Sequence, residues 1–144
     1  MPISVKSILD SKGRAVVTVS ADTTLMEAAA ILAENRIGAL VIGAVGGEVS
    51  GIFTERDVVK AVAKYGRQCL DQAVGDIMSF NIVRCSENST VDEVMEMMTQ
   101  RRFRHVPVED DGKLSGIISI GDVVKAHIRE IELEAEQIKA YIAG

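Results

Sequence analysis

Apolar and polar positions along this chain follow two alternating periods, and the order of the periods is written twice. Val16–Val19 is a short β-branched run that predicts a strand. Thr24 with Glu27 three residues later is a helix-opening capping box. Behind it Leu25, Ala28, Ala29, Leu32 and Ala33 share one helical face. "ALVIG" (Ala39–Gly43) is apolar throughout, as expected of a strand buried on both faces. "VGGEV" (Val45–Val49) reads as a hairpin turn and "SGIFT" (Ser50–Thr54) as the returning strand. Thr54 then opens a second helix, which Gly66 ends. The predicted unit is strand, helix, strand, strand, helix.

The second copy follows at a nearly constant offset. "GIFTERDVVKAV" (Gly51–Val62) and "GIISIGDVVKAH" (Gly116–His127) are identical at seven of twelve positions and lie 65 residues apart. Upstream, "TTLMEAAAILAENRIGALVI" (Thr23–Ile42) aligns with "STVDEVMEMMTQRRFRHVPV" (Ser89–Val108) at an offset of 66. The one-residue change falls between the turns "GAVGGEVSG" and "EDDGKLSG", where length varies cheaply. "AVVTV" (Ala15–Val19) matches "NIVRC" (Asn81–Cys85), and "VKSIL" (Val5–Leu9) resembles "VGDIM" (Val74–Met78). Two halves are expected, 1–68 and 69–144, the second with an extended C-terminal helix. A half with about three strands and two helices is marginal alone. The expected fold is therefore α/β (α+β), two pseudo-symmetric βαββα repeats packed against each other as one body.

Composition narrows the function. Of 144 residues, 47% are apolar and 26% charged, which suits a globular protein, and only 3% are aromatic, so the core must be aliphatic. A net charge of −5 argues against non-specific binding to nucleic acid or to an acidic membrane, since both need a basic face. No stretch approaches the length of a membrane span, and "MPISVKSILD" lacks the pattern of a signal peptide. Cys69 and Cys85 make no disulfide framework, so a cytoplasmic setting is expected. There is no GxSxG, Walker loop, HExxH or GxGxxG, and nothing in the sequence orients Cys85 and His105 as a nucleophile pair. A protein without catalytic activity of its own is expected. His127 is expected to have no ligand partner at helical spacing, and no metal is expected.

The duplicated order, with "GI(F/I)(T/S)xxDVVKA" closing each half, resembles a tandem pair of CBS domains, a Bateman module, of the stand-alone type. The resemblance covers nearly the whole chain. Taken alone, Thr54/Asp57 and Ser119/Asp122 are helix caps, as Thr24/Glu27 and Thr90/Glu93 are. Two features add to that reading. Each pair joins the carboxyl end of an apolar strand to a helix N-terminus, where ligands of α/β sheets bind. Each also uses the short carboxylate of Asp in place of Glu, which suits acceptance from ribose hydroxyls. The resemblance implies the same: Asp57 and Asp122 as ribose ligands, with Thr54 and Ser119 near the phosphate. It further implies that Ile82 and Val83 flank the base of the Asp57 site and that Val17 does so at the Asp122 site.

The basic stretch "RRFRH" (Arg101–His105) implies asymmetry. Arg101 and Arg102 suit a solvated helix end. The resemblance points Arg104 and His105 toward the phosphates of the Asp57 site, with Arg56 close by. The first half has Gly38 and Ala39 at the matching positions, and Gly121 replaces Arg56. The expected role is a regulatory sensor of an adenine nucleotide: AMP first, with ATP, ADP, NAD or S-adenosylmethionine also open. Its output would go to a regulated enzyme or transporter. The alternative is a pure protein-interaction or assembly module that binds no nucleotide. Finally, Val124, Ile128, Ile131, Ala135, Ile138 and Ile142 form a seam at alternating four- and three-residue steps. With the disc-like dimers common in CBS pairs, that seam gives the expectation of a homodimer.

Overall fold

The computed structural model describes residues 2–43, 47–78 and 82–143. Five helices and five strands follow in the order α1 (Val5–Lys12), β1 (Thr18–Val19), α2 (Leu25–Asn35), β2 (Ala39–Gly43), β3 (Val49–Thr54), α3 (Glu55–Tyr65), α4 (Val91–Arg101), β4 (His105–Asp110), β5 (Lys113–Ser119) and α5 (Ile120–Ala143). Two short 3-10 turns, Gly66–Asp71 and Val74–Asp76, separate α3 from the second repeat. The mixed α/β architecture in two repeats is as expected; the described residues show the full βαββα order in the first copy and α4, β4, β5, α5 in the second. The "VGGEV" turn overlaps residues 44–46, and the "NIVRC" run begins at Asn81; these positions lie outside the described residues.

The helices start where side-chain oxygens are available. Thr24, Thr54 and Thr90 are the N-caps of α2, α3 and α4, each accepting a backbone N–H three residues on. α3 ends on Gly66 at φ 71°. α2 and α4 instead end on arginines held left-handed, Arg36 at φ 54° and Arg102 at φ 59°. Arg102 is thus the exposed helix end expected of it, and its counterpart in the first repeat is also an arginine.

The chain forms two compact units, and they are not the two sequence halves. One comprises Met1–Arg14, Val83–Asp110 and Gly116–Gly144; the other comprises Ala15–Ile82 and Asp111–Ser115. Each half therefore lends its leading segment to the other half's unit, through the same backbone pattern. In the first unit, Val5 N donates to Ser89 O, Lys6 N to Glu87 O and Val91 N to Ile3 O. In the second, Val74 N donates to Thr23 O, Gly75 N to Ala21 O and Leu25 N to Gln72 O. The cores match in kind. Val5, Leu9, Val91, Val94, Val106 and Ile118 are buried together in one. Leu25, Leu40, Phe53, Cys69 and Val74 are buried together in the other.

The sheets differ, for a chemical reason. In the second unit β1 pairs parallel with β2, and β2 pairs antiparallel with β3. In the first unit β4 and β5 form a two-stranded sheet, and the segment before α4 contributes only a parallel bridge between Cys85 and Val108. Cys85 N donates to Pro107 O and Glu109 N to Cys85 O. The next bond of that ladder would run from residue 107 to Val83 O, but proline has no N–H. In the other repeat the equivalent bond exists, Val41 N to Val17 O at 3.1 Å. In the described part of the run expected over Asn81–Cys85, residues 82–85, the pairing is thus cut to Cys85 by Pro107, and the strand expected over Val16–Val19 narrows to Thr18–Val19.

Val41→Pro should copy this truncation into the first repeat. Removing the Val41 donor from a buried strand is expected to cost about 2–3 kcal/mol. Urea denaturation measures it; a loss within experimental scatter would mean the β1 pairing contributes nothing.

Candidate ligand site at the strand-to-helix junctions

Thr54 ends β3 and caps α3, and Ser119 ends β5 directly before α5. At the first junction Thr54 N donates to Asp57 Oδ2 at 2.9 Å and Asp57 N donates to Thr54 Oγ1 at 3.4 Å. At the second, Ser119 N donates to Asp122 Oδ2 at 2.9 Å and Asp122 N donates to Ser119 Oγ at 3.2 Å. Both are reciprocal capping boxes. The Thr24/Glu27 and Thr90/Glu93 caps are one-way, with only the backbone N–H of the glutamate engaged. The shorter aspartate turns back on its own cap through one oxygen. Among the described residues, no bond reaches the Oδ1 of either Asp57 or Asp122.

A second bond confirms that the junctions are equivalent. Glu55 N donates to Gly38 O at 3.0 Å, and Ile120 N donates to Arg104 O at 2.8 Å. Gly38 and Arg104 therefore hold the same backbone position, one without a side chain and one with a guanidinium. The Arg104 side chain is exposed and makes no hydrogen bond among the described residues. His105 is the half-buried first residue of β4.

Asp57 lines a cavity of about 390 Å³ together with Lys60, Lys64, Tyr65, Gln72 and Asp76. This volume lies near the lower end of the range for small-molecule sites. Lys64 Nζ sits 5.1 Å from the centre of the Tyr65 ring. Lys60 and Lys64 were not singled out in the sequence, although a signal exists. They stand three and seven residues after Asp57, on one helical face, and Lys125 and Arg129 stand three and seven after Asp122. Of the other expected residues, Arg56 is exposed in the first turn of α3 and does not line this cavity. Val17 is half-buried against the core of its unit, and Ile82 and Val83 are half-buried.

The second junction has an occupant that the sequence reading missed. Lys12, the last residue of α1, donates to Asp122 Oδ2 at 2.7 Å and to Ile117 O at 2.9 Å. Partial burial pushes the Asp122 carboxyl up. The hydrogen bonds from Lys12 and from the Ser119 backbone outweigh it, so the group sits below its ordinary range. At the offset that aligns the leading segments, the residue matching Lys12 is Asn81, which is uncharged. Burial pushes the Cys85 thiol up to about 12, which disfavours the thiolate, and Sγ faces Pro107 O.

A model of the CBS domain matches residues 5–64 and again 74–129. The chain belongs to the CBS domain family. A CBS-domain containing protein from Agrobacterium tumefaciens is 57% identical, with a TM-score of 0.83 over 88% of this chain and 95% of that one. The CBS domain pair of protein MJ0100, solved with 5′-methylthioadenosine and S-adenosyl-L-methionine, is 29% identical. Its TM-score is 0.78 over 90% of this chain and 99% of that one. A CBS domain protein from Pyrobaculum aerophilum complexed with AMP is also 29% identical, with a TM-score of 0.73 over 83% of this chain and 89% of that one. Among the described residues of this CBS pair, no helix is long and apolar enough to cross a membrane.

The Lys12–Asp122 pair should carry a pH signature. A depressed carboxyl stabilises the fold above the ordinary carboxylate pKa of about 3.9, and that gain is lost as pH falls through the lower folded value. Both side chains are partly exposed, at 34% and 24%. Lys12→Met should therefore cost about 0.5–1 kcal/mol at neutral pH, and the gap to the wild type should close in acid. Denaturation midpoints across that window check it. A gap that persists in acid would mean that the Lys12 stem, and not its charge, supplies the stability.

Proposed function

We propose that this chain is a regulatory CBS pair that binds an adenosyl ligand, AMP foremost, and has no catalytic activity of its own. The observation that carries the reading is the half-used carboxylate of Asp57. One oxygen is fixed by its cap, while the other has no partner among the described residues, at the edge of a nucleoside-sized cavity. A fixed acceptor of this kind suits the paired hydroxyls of a ribose. Lys60 and Lys64 border the same cavity, with Asp76 opposing their charge. Two related CBS structures that hold adenosyl compounds support the ligand class. Ser119 and Asp122 repeat the arrangement, with Lys12 in addition on the capping oxygen of Asp122. Thr54 and Ser119 are the hydroxyls on the phosphate side, and Val17, Ile82 and Val83 supply apolar contact to the base. Arg104, with Arg56 and His105, supplies further charge for phosphate, and the glycine at the position matching Arg104 makes the two repeats unequal.

A second reading is favoured by the same bonds. The capping boxes alone account for a hydroxyl and an aspartate at each junction, as in an assembly module that binds no nucleotide. Calorimetric titration with AMP and adenosine separates the two. Asp57→Asn keeps the shape and removes the charge, and should weaken AMP by about 1.5–3 kcal/mol. Arg104→Ala should shrink the preference for AMP over adenosine and leave adenosine binding nearly unchanged. Full AMP affinity in Asp57→Asn with the fold intact, or no AMP binding by the wild type, would favour the assembly reading.

We infer in addition a homodimer that uses α5. Ile128, Ile131, Ile138 and Ile142 are 52–78% exposed along one stripe of this 24-residue helix. Glu130 is buried in its own unit, so the informative truncation is after Leu133, which removes Ala135, Ile138 and Ile142 without touching it. Sedimentation should show a dimer for the full chain and weaker association for the truncated one. A full chain that stays monomeric at micromolar concentration would contradict this.

A further inference from the structure

A cluster of ligating side chains lies away from the junctions, in the unit built on α4 and α5. His127 and Glu130 stand three residues apart on α5, and Asp92 projects from the first turn of α4. The spacing His127-x-x-Glu130 is a helical one, so the expectation that His127 has no ligand partner at such spacing is corrected. His127 Nδ1 lies 3.6 Å from Asp92 Oδ1 and 3.6 Å from Glu130 Oε1. Ligand atoms from all three residues lie within 4.8 Å of one another.

Glu130 makes this more than a cluster of surface charges. Among the described residues it is the buried charged side chain, only 8% exposed. Its Oε2 accepts Ile3 N–H at 3.0 Å. Its Oε1 and His127 Nδ1 are both buried with no hydrogen-bond partner among the described residues, and they face each other. A separation of 3.6 Å is too long for a hydrogen bond. Burying an anionic oxygen and a ring nitrogen in this way is costly unless something else bonds both. The separation is instead close to the roughly 3.3 Å between neighbouring ligands of a tetrahedral ion whose bonds are about 2.0–2.1 Å.

We propose that His127, Glu130 and Asp92 form a binding site for a divalent transition-metal ion of the zinc class. An imidazole with two carboxylates suits zinc better than magnesium, which prefers oxygen ligands alone. Asp92 is exposed, so water completes the coordination. The ion clamps the start of α4 to the middle of α5 and, through Glu130 and the Ile3 N–H, holds the lent leading segment in its unit. Its role is structural, in the unit whose described residues form a two-stranded sheet.

The test uses the full chain, stripped with a chelator, dialysed and titrated with Zn²⁺ by calorimetry. One Zn²⁺ per chain is expected at this site. His127→Ala and Glu130→Gln should each weaken it by at least about tenfold. Zn²⁺ should raise the melting temperature of the wild type and not of the variants. Metal-free thermal scans establish that each variant folds, and His127→Ala, at a half-exposed position, keeps the test open if Glu130→Gln does not. Co²⁺ substitution should give weak visible bands without thiolate charge transfer. The proposal is overturned by no Zn²⁺ binding. It is equally overturned by wild-type affinity in His127→Ala, or by a thiolate band placing the ion on a cysteine.

Discussion

The structure depends on what happens where β3 and β5 stop and the next helix begins. Each strand end has a free N–H, and each following helix has free N–H groups that its own turns cannot satisfy. A hydroxyl and an aspartate three residues apart bond both at once. This ties the carboxylate to the backbone through one oxygen and leaves the second oxygen unbonded among the described residues. A glutamate at the same position, as in the α2 and α4 caps, leaves its carboxylate unattached to the cap backbone. The same two residues thus end a strand, begin a helix and leave a fixed acceptor at the surface of the unit.

Equivalent junctions acquire different chemistry from their surroundings. In one unit the carboxylate opens on a cavity bordered by Lys60 and Lys64. In the other, Lys12 arrives on the segment lent by the first half and bonds the carboxylate directly. The exchange of leading segments therefore does two things. It completes each core with residues from the opposite half, and it delivers a cation to one junction but not, by sequence, to the other. The unit that receives Lys12 is also the one whose sheet Pro107 interrupts and whose helices converge on His127, Glu130 and Asp92.

Much of this was legible in the sequence because it rests on local rules. The hydrophobic periods, the caps at Thr24, Thr54 and Thr90, Gly66 as a helix end and the register of the repeat all follow from residues within a few positions of one another. The residues of the junctions were legible for the same reason. The exchange of leading segments was not, because resemblance between "VKSIL" and "VGDIM" says that two segments are alike and not which core each joins. Lys12 and Asp92 are brought to their partners from 110 and 35 residues away in sequence, where no period connects them. The short pairing at Cys85 was legible in principle: Pro107 stands opposite a carbonyl that needs a donor, once the first repeat shows which bond is due.

The central claim is that a capping carboxylate is also a ligand acceptor. Amide chemical shifts of the ¹⁵N-labelled chain during AMP titration test it most directly, since Thr54 N–H is bonded to the carboxylate in question. The account predicts that Thr54 and Asp57 amides move together as AMP saturates, while Glu27, at the one-way cap of α2 in the same unit, stays still. Saturation by AMP with Thr54 and Asp57 unmoved, or no AMP-dependent change at all, would contradict it.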